Sequence, residues 1–384
     1  MSEAFGTSHV GRTGLELEWI VIDDHRPHHR LTPAEITAML GSPHNLAGNV
    51  LTFEPGGQLE LSTPPAPSLA DCIDIAWTGA TRVRAALAQH DVRLADEAID
   101  IRPPRRVAET ARYAALERRY DTFGSFGRIM MCNSASVQIN IDAGDTSGGW
   151  SDRQRRWHKA NLLGPTLVAM FANSARAPWA TGRSVRQLLR MQTDPSRTDP
   201  PALSGDCLHD WSRYALDAHI IGILDDDDRQ WRPPPAGLTM RSWLRDATPR
   251  PATLQDLQRH LHTLIPPVRA RGYLELRMID AQAGDNWTVP ATVVAAAFDH
   301  PPTAELADDL AAKLEPADRG GWSAAARVGL ADPTLAATAT ALMDLTLTAL
   351  PGLRLPAPVA DIVRSFAHRY TFRGRSPADD RITP

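Results

Sequence analysis

Four stretches of the chain alternate between apolar and polar positions. They are Leu15-Glu16-Leu17-Glu18-Trp19-Ile20, Gln58-Leu59-Glu60-Leu61-Ser62, Ser136-Val137-Gln138-Ile139-Asn140-Ile141-Asp142 and Tyr273-Leu274-Glu275-Leu276-Arg277-Met278. A period of two marks a strand with one buried face and one polar face. An ordinary half-exposed strand carries mixed polar residues such as Thr and Lys. These faces carry acids and amides, with one arginine at Arg277. Glu54 stands just ahead of the second stretch, across Pro55-Gly56-Gly57, where the lack of a Cβ permits a bulge or a close approach.

The same reading places strands at 14–22, 49–54, 58–63, 91–99, 134–142 and 272–279. Helix starts punctuate the intervals. Thr32-Pro33-Ala34-Glu35 is a capping box with Pro at the first position, opening a short helix that ends near Gly41. Ser68, with Asp71 three residues on, caps a helix to about His90. A helix covers 108–120, and Phe123-Gly124-Ser125-Phe126-Gly127-Arg128 reads as a turn into the next strand. Ser151 and Gln154 form a second box, opening a helix to about Ser174, and Thr253 caps another to about Leu264. Residues 176–252 read as loops and short helices, with Asp225-Asp226-Asp227-Asp228 a solvated turn. From about 290 to 370, alanine- and leucine-rich stretches predict a helical portion. Arg373-Gly374-Arg375-Ser376-Pro377 opens a polar tail, 373–384, of the kind that stays disordered. No repeat or linker divides the chain, so the pattern predicts one α+β domain over 1–384.

Composition narrows the function. At 384 residues with 43% hydrophobic and 22% charged positions, the chain has the make-up of a soluble globular protein. A net charge of −4 gives no global attraction to nucleic acid or to an anionic membrane. Lys159 and Lys313 are the only lysines, so phosphate recognition would fall to arginine. Cys72, Cys132 and Cys207 are too widely spaced for a disulfide framework or a zinc pattern. No secretory leader and no uninterrupted apolar run of ~20 residues is visible, which predicts a cytoplasmic protein.

If the four polar faces share one sheet, then Glu16, Glu18, Glu54, Glu60 and Glu275 converge. Two like charges ~4 Å apart repel by about 4 kcal/mol at an effective dielectric of 20. Such a group needs protons or cations. The accompanying Gln138 and Asn140 are neutral oxygen donors, and an all-oxygen set favours Mg²⁺ or Mn²⁺ over zinc. Metals beside an arginine suggest a nucleotide's phosphates. No Walker loop and no Gly-x-Gly-x-x-Gly is present, so an ATP site here would hold phosphates through metals and arginines.

Gly14-Leu15-Glu16-Leu17-Glu18, Glu54-Pro55-Gly56-Gly57-Gln58-Leu59-Glu60-Leu61-Ser62, Ser134-Ala135-Ser136-Val137-Gln138-Ile139-Asn140 and Tyr273-Leu274-Glu275-Leu276-Arg277 resemble the motifs of the glutamate–cysteine ligases. The resemblance is closest to the actinobacterial ergothioneine-pathway type, a relative of the plant-type enzymes. It implies a glutamine-synthetase-like fold, a curved and mainly antiparallel sheet forming a funnel with helices outside. It implies that ATP phosphorylates the γ-carboxylate of L-glutamate and that the amine of L-cysteine attacks the acyl phosphate. By the same resemblance, Glu18, Glu54 and Glu60 hold one Mg²⁺, while Glu16, Gln138 and Glu275 hold what bridges the ATP phosphates. Arg277, with Glu60 and Glu275, would serve catalysis. Arg112, Tyr113, Gln58, Asn140 and Arg277 would contact substrate. A ligase for another acceptor amine would show the same cluster, and so would an inactive ATP- or amino-acid-binding relative. The oligomeric state is not written in these motifs.

Overall fold

The structure, a computed structural model, describes residues 2–6, 11–41, 46–175, 181–224 and 230–382. Its centre is a six-stranded sheet in which every neighbouring pair is antiparallel. In chain order the strands are β1 (Thr13–Trp19), β2 (Val21–Asp23), β3 (Val50–Phe53), β4 (Leu59–Ser62), β5 (Val92–Leu94), β6 (Ser136–Asp142), β7 (Ile223–Leu224), β8 (Trp231–Arg232), β9 (Val268–Ala270) and β10 (Tyr273–Asp280). The large sheet runs β3-β4-β1-β6-β10-β9. The pairs β2–β5 and β7–β8 lie apart from it.

One sheet face is apolar and buried. Leu15, Leu17, Leu59, Leu61, Ile139, Leu274 and Leu276 are each no more than 1% exposed and join the main core. Helices cover that face. Leu69–Ala88 and Arg153–Met170 contribute Ile73, Ala76, Trp157, Leu163 and Leu167 to the same core. Burying one leucine side chain contributes about 1.5–3 kcal/mol, so reversing this face would be ruinous. A one-residue slip in any strand would do that, and the alternation therefore fixes which side the acids occupy.

Thr32 makes the expected capping box with Glu35, and the helix it opens ends at Gly41 with φ +67°. Ser68 and Thr253 cap their helices as expected. Other parts differ. The cap of the Arg153–Met170 helix is Asp152, one residue past Ser151, because its carboxylate accepts from the amides of Gln154 and Arg155. Phe126–Asn133 is a helix rather than a turn, with Ile129, Met131 and Cys132 buried. Gly127 permits this, since a Cβ there would lie 2.3 Å from Cβ of Tyr120. Residues 181–224 and 230–252 hold several short helices, including Val185–Met191 and Cys207–Asp217. The acidic run Asp225–Asp228 lies outside the described residues.

After β10 the described chain is helical, from Thr288–Phe298 through Ala357–Arg369. Pro333–Leu353 is long and apolar enough by composition to cross a bilayer, but Leu342 and Met343 are packed in the main core. As far as Ile382, the tail does not stay loose as its composition suggests. Ser376 and Ala378 are fully buried, and the Ala378 amide donates to the Ala172 carbonyl at 2.9 Å.

Candidate active site

Strand register builds the site. Pairing of β1 with β4 sets Glu18 opposite Glu60, and pairing of β1 with β6 sets Glu16 opposite Gln138. In β10, Glu275 faces Asn140 of β6. Glu54 comes from the turn between β3 and β4, which closes with Gly57 N–H donating to the Glu54 carbonyl and Glu54 N–H to that of Gln58, both at 2.9 Å. A Cβ on Gly56 would lie 1.9 Å from the Cys132 carbonyl oxygen, and Gly57 has φ +84°. The glycines therefore let this turn press against the end of the Phe126–Asn133 helix.

Around this surface lies a cavity of about 360 Å³. One wall is acidic. Glu18, Glu54 and Glu60 each offer a carboxylate oxygen within 4.8 Å of the others. Burial raises the pKa of all three; repulsion from Glu18 adds to it at Glu60, and repulsion from Glu18 and Glu60 brings Glu54 to about 8, while at Glu18 the Arg186 and Arg277 charges oppose the rise. Glu16 is raised by burial and by the charges of Glu275 and Glu60. Hydrogen bonds fix the acids in place. Glu18 accepts from Ser136 N at 2.8 Å and Gln138 Nε2 at 2.6 Å; Glu60 accepts from Thr52 Oγ1 at 2.7 Å; Glu16 accepts from Asn140 Nδ2 at 3.0 Å. Buried acids that resist ionisation and lie this close form a ready seat for a divalent cation. Gln138 Oε1 is buried with no hydrogen-bond partner, an open acceptor beside Glu18 and Glu16.

The opposite wall is cationic. Arg277 lines it with Arg186, Arg269 and Arg271. Glu275 is fully buried and does not line the cavity; Arg269 and Arg277 both grip its carboxylate, Arg277 at 2.9 Å. Burial alone would raise its pKa, but the two guanidinium charges win and hold it at about 2. The arginines are further pinned through the backbone. The Arg277 carbonyl accepts from Arg186 at 3.0 Å and from Arg190 at 3.3 Å.

Other expected site residues take several positions. Arg112 and Tyr113, at the start of the Ala111–Asp121 helix, line the cavity, with the guanidinium over the phenol ring at 5.3 Å. The Tyr113 hydroxyl donates to the Phe53 carbonyl at 3.2 Å. Gln58 reaches the cavity, but its amide works on backbone: Oε1 accepts from Gly56 N, and Nε2 donates to the Ser134 carbonyl at 2.8 Å. Asn140 holds Glu16. Cys132 is a buried small residue.

Sequence reading missed Arg186, Arg190 and Arg269. The first two lie in a stretch without acids or regular alternation. The i,i+4 spacing of Arg186 and Arg190 was the available signal, since it sets both on one helix face. Arg269 lies on β9, and Val268-Arg269-Ala270-Arg271 does alternate, though too briefly to mark a strand.

Residues 12–380 match the family described as Glutamate-cysteine ligase family 2. The chain is 35% identical to the glutamate–cysteine ligase EgtA of Mycobacterium tuberculosis, over 97% of this chain and 85% of that one. It is 34% identical to EgtA of Mycolicibacterium smegmatis, over 97% and 86%. With the chloroplastic glutamate–cysteine ligase of Arabidopsis thaliana it shares 26% identity over 70% of this chain and 52% of the other. Among solved structures, a glutamate–cysteine ligase from Francisella tularensis in complex with AMP shares the fold, with a TM-score of 0.57 at 14% identity, covering 98% of this chain and 85% of that one.

Proposed function

The chain belongs to the glutamate–cysteine ligase family 2, and on that premise we propose that it joins the γ-carboxylate of L-glutamate to the amine of L-cysteine at the cost of ATP. A γ-glutamyl phosphate forms first; the amine displaces phosphate, leaving γ-glutamylcysteine, ADP and phosphate. The relatives named EgtA support ergothioneine synthesis as the use of the product.

The observation that carries this reading is a single cavity lined both by a cluster of acids and by several arginines. The acids suit Mg²⁺: Glu18, Glu54 and Glu60 would hold one ion, and Glu16 with Gln138 Oε1 another. Glu275 would reach that second ion only by releasing a guanidinium. Bound Mg²⁺ would neutralise phosphate charge during transfer. Arg277, stiffened by Glu275 and by the arginines on its carbonyl, offers a planar fork to a carboxylate or to the moving phosphoryl group. Tyr113 and Arg112 cover the cavity from the Ala111–Asp121 helix. No covalent nucleophile on the chain is needed, since the acyl phosphate is already activated; the chain's task is positioning and charge neutralisation.

Residues 1–384 act as one catalytic domain in this reading, with 290–370 its helical portion and 373–384 its tail. The three buried free thiols fit the reducing cytoplasm, where ATP and cysteine are available. Purified protein given ATP, Mg²⁺, glutamate and cysteine is expected to release ADP only when both amino acids are present. ADP release that ignores cysteine but follows another amine would reassign the acceptor; none with any amine would end the reading.

A further inference from the structure

The tail connects to the cavity through a relay of hydrogen bonds and ion pairs. Ala378 bonds to the Ala172 carbonyl, and Arg381 donates from Nε to Asn173 Oδ1 at 3.3 Å. Arg381 also pairs with Glu97 at 3.0 Å, and Asp379 pairs with Arg183 at 3.1 Å. The tail thus grips both Ala172–Asn173 and Arg183. Those residues flank the ligands of one buried carboxylate, Asp280, at the end of β10. Asp280 accepts from Asn173 N at 2.9 Å, Ser174 Oγ at 2.6 Å and Ser184 Oγ at 2.9 Å, and lies 3.8 Å from the Arg186 guanidinium. Ser174 Oγ in turn accepts from the Arg186 backbone amide at 3.0 Å. Arg186 lines the cavity and bonds to the Arg277 carbonyl.

A strap serving stability alone would draw mainly on apolar burial. The apolar cluster that holds this one is three alanines, Ala172, Ala175 and Ala378. Two of its polar contacts, Arg381 to Asn173 and Asp379 to Arg183, reach the stretches that seat Arg186, while Asp380 pairs with Arg369 and Tyr370 and Arg381 also with Glu97. We propose that the C-terminal segment Ser376–Ile382 is a positioning element of the active cavity, with Arg381 and Asp379 holding Arg186 in place through Asn173, Ser184 and Asp280. The proposal rests on the ligase reading, because it needs the cavity to be where turnover occurs. A guanidinium displaced by about 1 Å costs turnover even when nothing touching substrate has changed; such misplacement is worth roughly 10- to 100-fold.

The test uses the full chain with Asp379→Ala and Arg381→Ala combined, and Arg381→Lys as the conservative change. Each is measured for kcat and for KM of each substrate, with folding checked by circular dichroism. The double variant is expected to keep its far-ultraviolet spectrum and lose roughly 10-fold or more in kcat/KM, while Arg381→Lys retains most activity. In an Arg186→Lys background the same tail change should cost roughly 2-fold or less, because coupled residues are not additive. Unchanged turnover in the double variant, or a full additional loss in the Arg186→Lys background, overturns the proposal and leaves the ligase reading standing. A wild-type protein without turnover overturns both. If the double variant does not fold, Arg381→Ala alone takes its place under the same criteria.

Discussion

Glu54 lines the cavity, Glu275 lies buried behind the arginines that line it, and the fold drives the two carboxyls in opposite directions. Burial pushes both carboxyls up. Around Glu54 the neighbours are Glu18 and Glu60, which push the same way, to about 8. Around Glu275 they are Arg269 and Arg277, which reverse it, to about 2. Arg277 and Arg112 act on Glu54 too weakly to offset its burial and its acidic neighbours, whereas Glu275 is directly paired with two guanidinium groups. A site for a polyanion carried by divalent cations needs both: a place for the metal and fixed cations for what the metal does not cover.

The sharpest way to break the comparison is Glu60→Gln. It removes one of three converging carboxylates without changing size, and should lower turnover on the order of 10³-fold with the fold intact. Steady-state ADP release beside circular dichroism measures this; near-normal turnover would remove Glu60 from the site. The arginine wall should respond in stability as well. Glu275→Gln leaves Arg269 and Arg277 buried without their counter-ion, so a loss of about 3–5 kcal/mol is expected in denaturant unfolding. The equivalent change on the acid wall, Glu54→Gln, should stabilise the metal-free protein.

That contrast extends to pH. Glu54 has a raised folded pKa, so its contribution to stability is present below the unfolded value of about 4.3 and is lost as pH rises toward 8. Glu275 has a lowered one; its contribution is present above about 4.3 and is lost as pH falls toward 2. Between pH 5 and 8.5 in a chelator, the Tm of wild type should fall relative to Glu54→Gln, and Mg²⁺ should flatten the difference. A chelated wild type whose Tm tracks the variant throughout would show that the acids do not repel as described. The smallest effect is expected at the edge of the cavity. Tyr113→Phe removes one hydrogen bond to the Phe53 carbonyl, worth about 0.5–1.5 kcal/mol in unfolding experiments.

The strands bearing Glu16, Glu18, Glu60, Gln138 and Arg277 were legible because side-chain direction in a strand follows a local period of two. Helices opened by Thr32, Ser68 and Thr253 were legible because a cap is a local bond. The Phe126–Asn133 helix was not. Its glycines suggested a turn, and only contact with Tyr120 explains Gly127. β9 is three residues long and exists by pairing with β10. The tail read as polar and loose because its partners, Ala172, Asn173 and Arg183, lie about two hundred residues earlier.

Which side chains share a face was settled by the order of apolar and polar residues, since burying that many leucines leaves one orientation for each strand. The charge each acid carries was not. Ionisation depends on burial and on charges within a few ångströms, and Arg186, Arg269 and Asp280 come to those positions only when distant segments pack. Local residue order thus laid down the acidic surface, and packing between distant segments set which of its acids stay open to a cation and which are already paired.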